Sequence, residues 1–367
     1  MNKNIKNRLA ALREKMNEKE LHAFFVLSGE NRFYLSGFNA HDGGFDESAG
    51  ALLITGDHAV LMTDSRFIIQ AEREAHGYEV IKYANGMYKI LPELFKRLGI
   101  KKVGFESTRM SCRLYELITD EAPGIDFKGF TGIIEDIRAV KDTEEILQVE
   151  KALEVTETVF QLFRKTITSG VTEKEAAWRL EKMLRENGAD CLSFPTITAF
   201  GENSAMAHAV PGDRKLKKGE PALFDFGIKL NDYCSDITRV LYLGDPDEKF
   251  LSVYNTVLKA AELATKAVRP GIDSRIADDA ARSYIREQGY EGKFGHSLGH
   301  GIGLAVHEEP KVGPIRSSVL ESGMIFTIEP GIYLPDWGGV RLENMAVVTN
   351  DGVRILNSTD FSYKTNG

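Results

Sequence analysis

A chain of 367 residues is long for one hydrophobic core, so two domains are expected, and 43% apolar with 27% charged residues is an ordinary globular balance. The formal net charge of -8 argues against nucleic acid or an anionic membrane as the main partner. Cys112, Cys191 and Cys234 are odd in number and lack CxxC spacing, which argues against a disulfide framework or a thiolate zinc site and for a reducing, cytoplasmic setting.

The N-terminal stretch MNKNIKNRLAALREKMNEKE reads as a charged amphipathic helix without the apolar core of an export signal, and no apolar run reaches the length of a membrane span. After it, AFFVLS (23–28), ALLITG (51–56), AVLMTD (59–64) and KKVGFE (101–106) read as strands. The patterns at 66–77, 88–99 and 110–122 read as helices, which predicts an α/β domain with a mixed sheet. Between Gly37 and Gly50 lies a polar loop in which His41, Asp42, Asp46 and Glu47 are more simply read as solvated than as a cation site.

Near residue 135 the pattern changes, which predicts domains of 1–135 and 136–367. Asp142 or Thr143 can cap a long helix over 143–167 with acidic residues in its first turn. Beyond it, 169–188 and 270–289 align without gaps at an offset of 101, Gly170 meeting Gly271 and Ala176 meeting Ala277. Each copy has a long helix, a second helix capped by Thr172 or Asp273, and then a β-rich segment. A duplicated half implies a pseudo-two-fold domain with a site between its halves.

Each β-rich segment carries a pair of acids. Asp225 and Asp236 flank the turn IKLND, and a hairpin centred between Leu230 and Asn231 would place them opposite one another. Glu329 and Glu343 are equidistant from Asp336 in the second segment, with Arg341 on the same strand face as Glu343. Facing carboxylates in apolar strands repel, and a cation between them removes the conflict. The C-terminal part also groups His296, His300 and His307 within twelve residues of glycine-rich chain, with His208 the other histidine of the second half. Four carboxylates and an imidazole can hold two divalent ions; oxygen-rich ligation suits Mn2+, with Co2+, Fe2+ or Zn2+ as alternatives. HSLGH has the spacing of a zincin helix but lacks its glutamate, and its glycines oppose a helix.

At DFG-x8-D, GHSLGHGIGLAVHE, TIEPGIY and GGVRLEN the chain resembles the M24 metallopeptidase family of aminopeptidase P, prolidase and methionine aminopeptidase, the pita-bread fold. YLSGF (34–38) and TDSRF (63–67) are similar to the creatinase-like N-terminal domain of the Xaa-Pro peptidases. The resemblance implies an α/β (α+β) chain: a creatinase-like domain, then a pseudo-two-fold catalytic domain that hydrolyses the Xaa-Pro bond of peptides as a homodimer. It places the metal ligands on Asp225, Asp236, His300, Glu329 and Glu343, and substrate or transition-state roles on His208, His296 and His307. It also makes Arg341 a support for a bridging carboxylate and Thr238 a neighbour of the solvent between the metals; among the ligands, Glu329 is the expected proton shuttle. Met206-Ala207 stands where the family often has Leu-Pro, Asn344 where Asp is common, and Lys311 where many members have Arg. Two alternatives stay open: a non-catalytic relative, or a creatinase-like hydrolase that needs no metal.

Overall fold

The computed structural model describes residues 3–44 and 47–365, so Asp46 of the polar loop lies outside the described residues. The chain divides into two compact units, Met1–Ile137 and Arg138–Gly367. The first contains a six-stranded mixed sheet in the order β4-β3-β2-β1-β5-β6. Its strands are β1 (Ala23–Val26), β2 (Ala51–Thr55), β3 (Ala59–Thr63), β4 (Glu79–Lys82), β5 (Lys102–Glu106) and β6 (Asp126–Phe130). Its helices are α1 (Lys3–Glu18), α2 (Gly29–Ser36), α3 (Ile68–Glu74), α4 (Leu91–Arg97) and α5 (Cys112–Glu121). Helix α2 falls where the sequence pattern predicted none. It is held by tertiary bonds: the fully buried Arg32 donates to Ala40 O at 2.6 Å, Gly50 O at 2.8 Å and Asp42 at 3.0 Å. Asp42 is thereby committed to Arg32.

The division between the units falls within α6 (Glu135–Ala139). In the second unit α7 (Thr143–Phe163) starts from Asp142, whose carboxylate accepts from Glu145 N while Glu145 accepts from Asp142 N. The helix stops at Phe163 and finishes in a 3-10 turn, four residues short of the predicted end. Next come α8 (Glu173–Glu186), β7 (Cys191–Leu192), β8 (Ile197–Phe200), β9 (Pro221–Phe226), β10 (Ile228–Leu230), β11 (Tyr233–Cys234) and β12 (Ile237–Tyr242). The second repeat holds α9 (Glu248–Ala267), α10 (Arg275–Glu287), β13 (Gly299–Gly301), β14 (Glu308–Val312) and β15 (Ile325–Ile328). Strands β16 (Gly331–Leu334), β17 (Gly338–Arg341), β18 (Asn344–Val348) and β19 (Val353–Ile355) complete it.

The two copies repeat the same backbone bonds. Gly170 N donates to Leu216 O and Leu216 N to Val171 O; Gly271 N donates to Leu320 O and Leu320 N to Ile272 O. One cap differs from expectation. Thr172 forms a full capping box with Glu175, whereas the residue capping α10 is Ser274, whose hydroxyl makes no capping bond and binds Lys311 O and Ser318 N, and Asp273 instead binds Arg275. A continuous apolar core runs through this unit from Ile197 and Leu223 to Phe250, Val257, Phe326 and Val340. It supports the two hairpins that carry the acids. Among the described residues no helix is long and apolar enough to cross a membrane.

Candidate metal centre and substrate histidines

The first hairpin turns at Asn231 and Asp232, both with positive φ (49° and 69°). Asn and Asp tolerate this left-handed region, which two-residue hairpin turns require. The turn is therefore centred one residue further along than IKLND suggested, and the ladder pairs Asp225 with Thr238. The expected direct opposition of Asp225 and Asp236 is thus corrected: Asp236 precedes Thr238 by two and is a diagonal neighbour of Asp225. Gly227 makes the junction possible, because a Cβ there would stand 1.9 Å from Ser235 O.

The second pair keeps its predicted register. Ile328 pairs with Asn344 on one side and Gly331 with Arg341 on the other, both symmetric about Asp336, so Glu329 and Glu343 oppose one another at the gap between two ladders. His300 arrives on β13, with Nε2 3.6 Å from Asp236 Oδ2 and 3.4 Å from Glu329 Oε1. Ligating atoms of Asp236, His300 and Glu343 all lie within 4.8 Å of one another. Asp225 and Glu329 border this trio. Asp225 Oδ2 accepts from Arg341 Nη2, and Glu329 Oε1 accepts from Thr327 Oγ1 at 3.1 Å.

These donors fit divalent cations on two observations. Asp225 Oδ1, Asp236 Oδ1 and Glu343 Oε1 are buried without a hydrogen-bond partner among the described residues, a costly condition for carboxylate oxygens. His300 Nδ1 lies 3.1 Å from Gly301 O, which accepts the ring N–H and leaves the Nε2 lone pair aimed at the acids. A lone pair facing carboxylates is repulsive unless a cation or a shared proton stands between them.

Electrostatics agree. Burial first, then repulsion from Glu343, Asp225 and Glu329, raises Asp236 well above the ordinary carboxylate range. Burial, Glu329 and Asp225 do the same to Glu343, while Glu329 is pushed up to about 8 by burial and Asp225. Burial and then His307 push the His300 imidazole down to about 3, so it is neutral at pH 7. Burial opposes the charge of Arg341 too, but Tyr333, Asp225 and Glu329 outweigh it and hold the guanidinium protonated.

The remaining histidines surround these acids. His307 packs edge-on against His300 with ring centroids 4.1 Å apart. His296 Nδ1 donates to Ser297 O at 2.8 Å, so its Nε2 accepts from the Tyr333 hydroxyl at 2.8 Å, and that oxygen accepts from Arg341 Nη1 at 2.9 Å. Burial, then Arg341, depresses His296 to about 4. His208 stands exposed in the loop after β8 and acts electrostatically on both His296 and His307. Arg341 Nη1 also reaches Ala207 O at 3.1 Å, beside it. Thr238 donates to Glu343 Oε2 and accepts from Arg341 Nε. Tyr333 went unassigned in sequence, although it stands inside TIEPGIY. A phenol in a strand reads as packing until its partner is known.

A duplicated β-rich unit with a buried carboxylate–imidazole cluster offers the donor set that metal-dependent hydrolases use. Residues 148–350 match the model of metallopeptidase family M24, and residues 8–140 match the creatinase/prolidase N-terminal domain. The chain belongs to metallopeptidase family M24 and has its pita-bread fold. It is 35% identical over 357 residues to a Xaa-Pro dipeptidase of Pyrococcus furiosus, covering 97% of this chain and 99% of that one. The structure of a Xaa-Pro dipeptidase from Bacillus anthracis superposes with a TM-score of 0.92 at 34% identity, over 98% and 99% of the two chains. That of an X-Pro aminopeptidase from Thermotoga maritima gives 0.86 at 35%, over 95% and 99%.

Proposed function

We propose that the chain hydrolyses the Xaa-Pro bond at the N-terminus of peptides, with Asp225, Asp236, His300, Glu329 and Glu343 holding two divalent ions. The observation that carries this reading is the His300 Nε2 lone pair directed at Asp236 and Glu329, beside three buried carboxylate oxygens without partners. Mn2+ suits this oxygen-rich set, with Co2+, Fe2+ or Zn2+ as alternatives; such ions, when bound, lower the pKa of water from about 15.7 to about 7 and polarise a carbonyl.

The protein supplies the rest. The Glu329 carboxylate, 3.4 Å from His300 Nε2 in the acid cluster, takes a proton from the attacking water and returns it to the leaving proline nitrogen. Arg341 orients Asp225 and, through Thr238, Glu343. His307 donates its ring N–H to the oxyanion, while His208 and the Tyr333-held His296 hold the peptide.

Whether dipeptides alone are cleaved turns on Lys311, the candidate partner of a free proline carboxylate. Its ammonium donates to Glu308 O at 3.0 Å and lies 3.9 Å from Glu309, an internal engagement that favours a broad Xaa-Pro peptidase. The unpaired Cys112, Cys191 and Cys234 support a cytoplasmic setting, and the family resemblance supports a homodimer. The test is hydrolysis of an Xaa-Pro dipeptide and an Xaa-Pro-Yaa tripeptide after chelation and after adding Mn2+ or Co2+. Restored cleavage of both supports the reading. Chelator-resistant cleavage would favour a creatinase-like hydrolase, and full metal occupancy without turnover a non-catalytic relative.

A further inference from the structure

His208 has no side-chain hydrogen bond among the described residues, so its ring goes where its backbone puts it. The segment carrying it, residues 201–212, leaves β8 in a 3-10 turn (Gly201–Ala205) and continues without regular structure toward β9. Short irregular segments of this kind have no ladder of their own to fix them. The segment's internal bonds are local ones, such as Met206 N to Asn203 O and Ala209 N to Met206 O. Its place in the fold is set by anchors from outside, of which the described residues show three that bear on His208. Arg341 binds Ala207 O at its middle, Gly339 N binds Ser204 Oγ at 2.7 Å, and the third is Glu173.

Glu173 is the first residue of α8 and is 1% exposed. One carboxylate oxygen, Oε1, accepts from Phe200 N at 2.9 Å and Asn203 Nδ2 at 3.0 Å, where the segment leaves β8. The other, Oε2, accepts from Gly212 N at 2.9 Å, at its far foot. The adjacent α8 amides complete the grip: Glu173 N donates to Arg214 O and Lys174 N to Gly212 O. One buried carboxylate therefore closes both ends of the histidine-bearing excursion. A capping or helix-dipole role would not need bonds to both feet.

The second repeat solves the same problem with different groups. Asp278, buried in α10, accepts from Leu298 N at 2.9 Å and binds Arg282 through both oxygens. Arg282 in turn donates to Phe294 O at 2.7 Å and His296 O at 2.8 Å. That segment carries His296. The recurrence is one of position and task, since Glu173 aligns with Ser274 at the repeat offset.

We propose that Glu173 is a positioning residue for His208, so that the second helix of the first repeat aims a substrate histidine; in the second repeat the Asp278–Arg282 pair holds the backbone on which His296 stands. The proposal rests on the reading that these histidines hold the peptide. Replacing Glu173 by Gln keeps the volume but sets an NH2 against one of the three donors, releasing one foot of the loop. The expected result for Glu173→Gln is a rise of roughly 10- to 100-fold in KM for an Ala-Pro tripeptide, the cost of a small misplacement. Mn2+ affinity by calorimetry should stay unchanged.

The decisive measurement is the cycle of Glu173→Gln, His208→Ala and their combination. If Glu173 works through His208, the double variant is no worse in kcat/KM than His208→Ala alone. Effects that multiply, beside a damaging His208→Ala, would overturn the clamp while leaving the histidine reading intact. A His208→Ala enzyme with wild-type kinetics would overturn the histidine reading, and the proposal with it. Lost Mn2+ binding in Glu173→Gln would mark a general structural role and also overturn it. Should that variant fail to fold, Asn203→Ala, which removes one donor and leaves the helix intact, carries the same cycle with the same outcomes.

Discussion

Thr238 Oγ1 donates to Glu343 Oε2 at 2.8 Å, joining a strand of the first repeat to a candidate ligand of the second across 105 positions of chain. The same hydroxyl accepts from Arg341 Nε at 3.0 Å, so it is saturated and fully buried. Thr238→Val keeps the shape and strips both bonds. It should cost about 1–3 kcal/mol, because a buried carboxylate and a guanidinium each lose a partner. Mn2+ affinity should fall about 10- to 100-fold as Glu343 loses its orientation. Thr238→Ser should bind Mn2+ as wild type, with stability lowered only by the lost buried methyl, about 1 kcal/mol. Weakened Mn2+ binding in Thr238→Ser beside wild-type binding in Thr238→Val would show that the methyl, not the hydroxyl, matters.

Asp236→Asn tests the metal centre most directly. Asp236 is crowded by three other acids, so a neutral amide should leave the metal-free fold as stable or more so. Metal binding should disappear from calorimetry, and peptidase activity should fall by at least about 10²–10³-fold. Near-normal turnover in this variant would refute the assignment of Asp236.

Metal-free protein should lose stability as pH rises toward 8. The folded fold raises Asp236 and Glu343, and takes Glu329 from 4.5 to about 8. An acid raised on folding stabilises fully below its unfolded pKa, and that contribution is lost as pH climbs through the folded value. His296 and His300 are depressed from 6.5 to about 4 and about 3, so their contribution is full above 6.5 and lost only below it. Between pH 6.5 and about 8 the acids therefore act alone. Melts in chelator should show Tm falling across that window, and saturating Mn2+ should abolish the fall. A chelated Tm that stays level there would contradict the burial and mutual repulsion that raise these carboxyl groups.

Which parts were readable from sequence follows from how each is specified. The Glu329–Glu343 register could be read because the hairpin is symmetric about Asp336, which takes the left-handed turn position itself. The Asp225–Asp236 register was misplaced because Leu230 looked like part of the turn, whereas the two residues that tolerate positive φ are Asn231 and Asp232. Helix α2 has no apolar periodicity to announce it; a buried Arg32 reaching Ala40 and Gly50 fixes it, and such bonds leave no local trace. Glu173 and Asp278 were invisible for a related reason. An acid early in a helix reads as a favourable helix-dipole contact, and only the fold reveals which loop amides it meets.

The glycines around His300 offer the last prediction. In sequence they argued only against a helix; in the fold they mark a strand squeezed between two others. A Cβ on Gly299 would lie 1.8 Å from Thr327 O, and one on Gly301 would lie 2.1 Å from Glu309 O. Strand β13 must therefore approach β14 and β15 more closely than any side chain permits. Gly299→Ala would force β13 away from Thr327, whose hydroxyl now binds His300 N at 3.1 Å. The loss should be at least about 1–3 kcal/mol from overpacking, with His300 displaced from Asp236 and Mn2+ affinity reduced alongside Tm. Gly295→Ala is the matched control, since a Cβ there meets nothing within 4 Å and its φ is not in the left-handed range. Its Tm should be unchanged or slightly raised through a less flexible unfolded chain. If Gly299→Ala melted and bound Mn2+ like the control, the close approach that places His300 over the acids would be wrong.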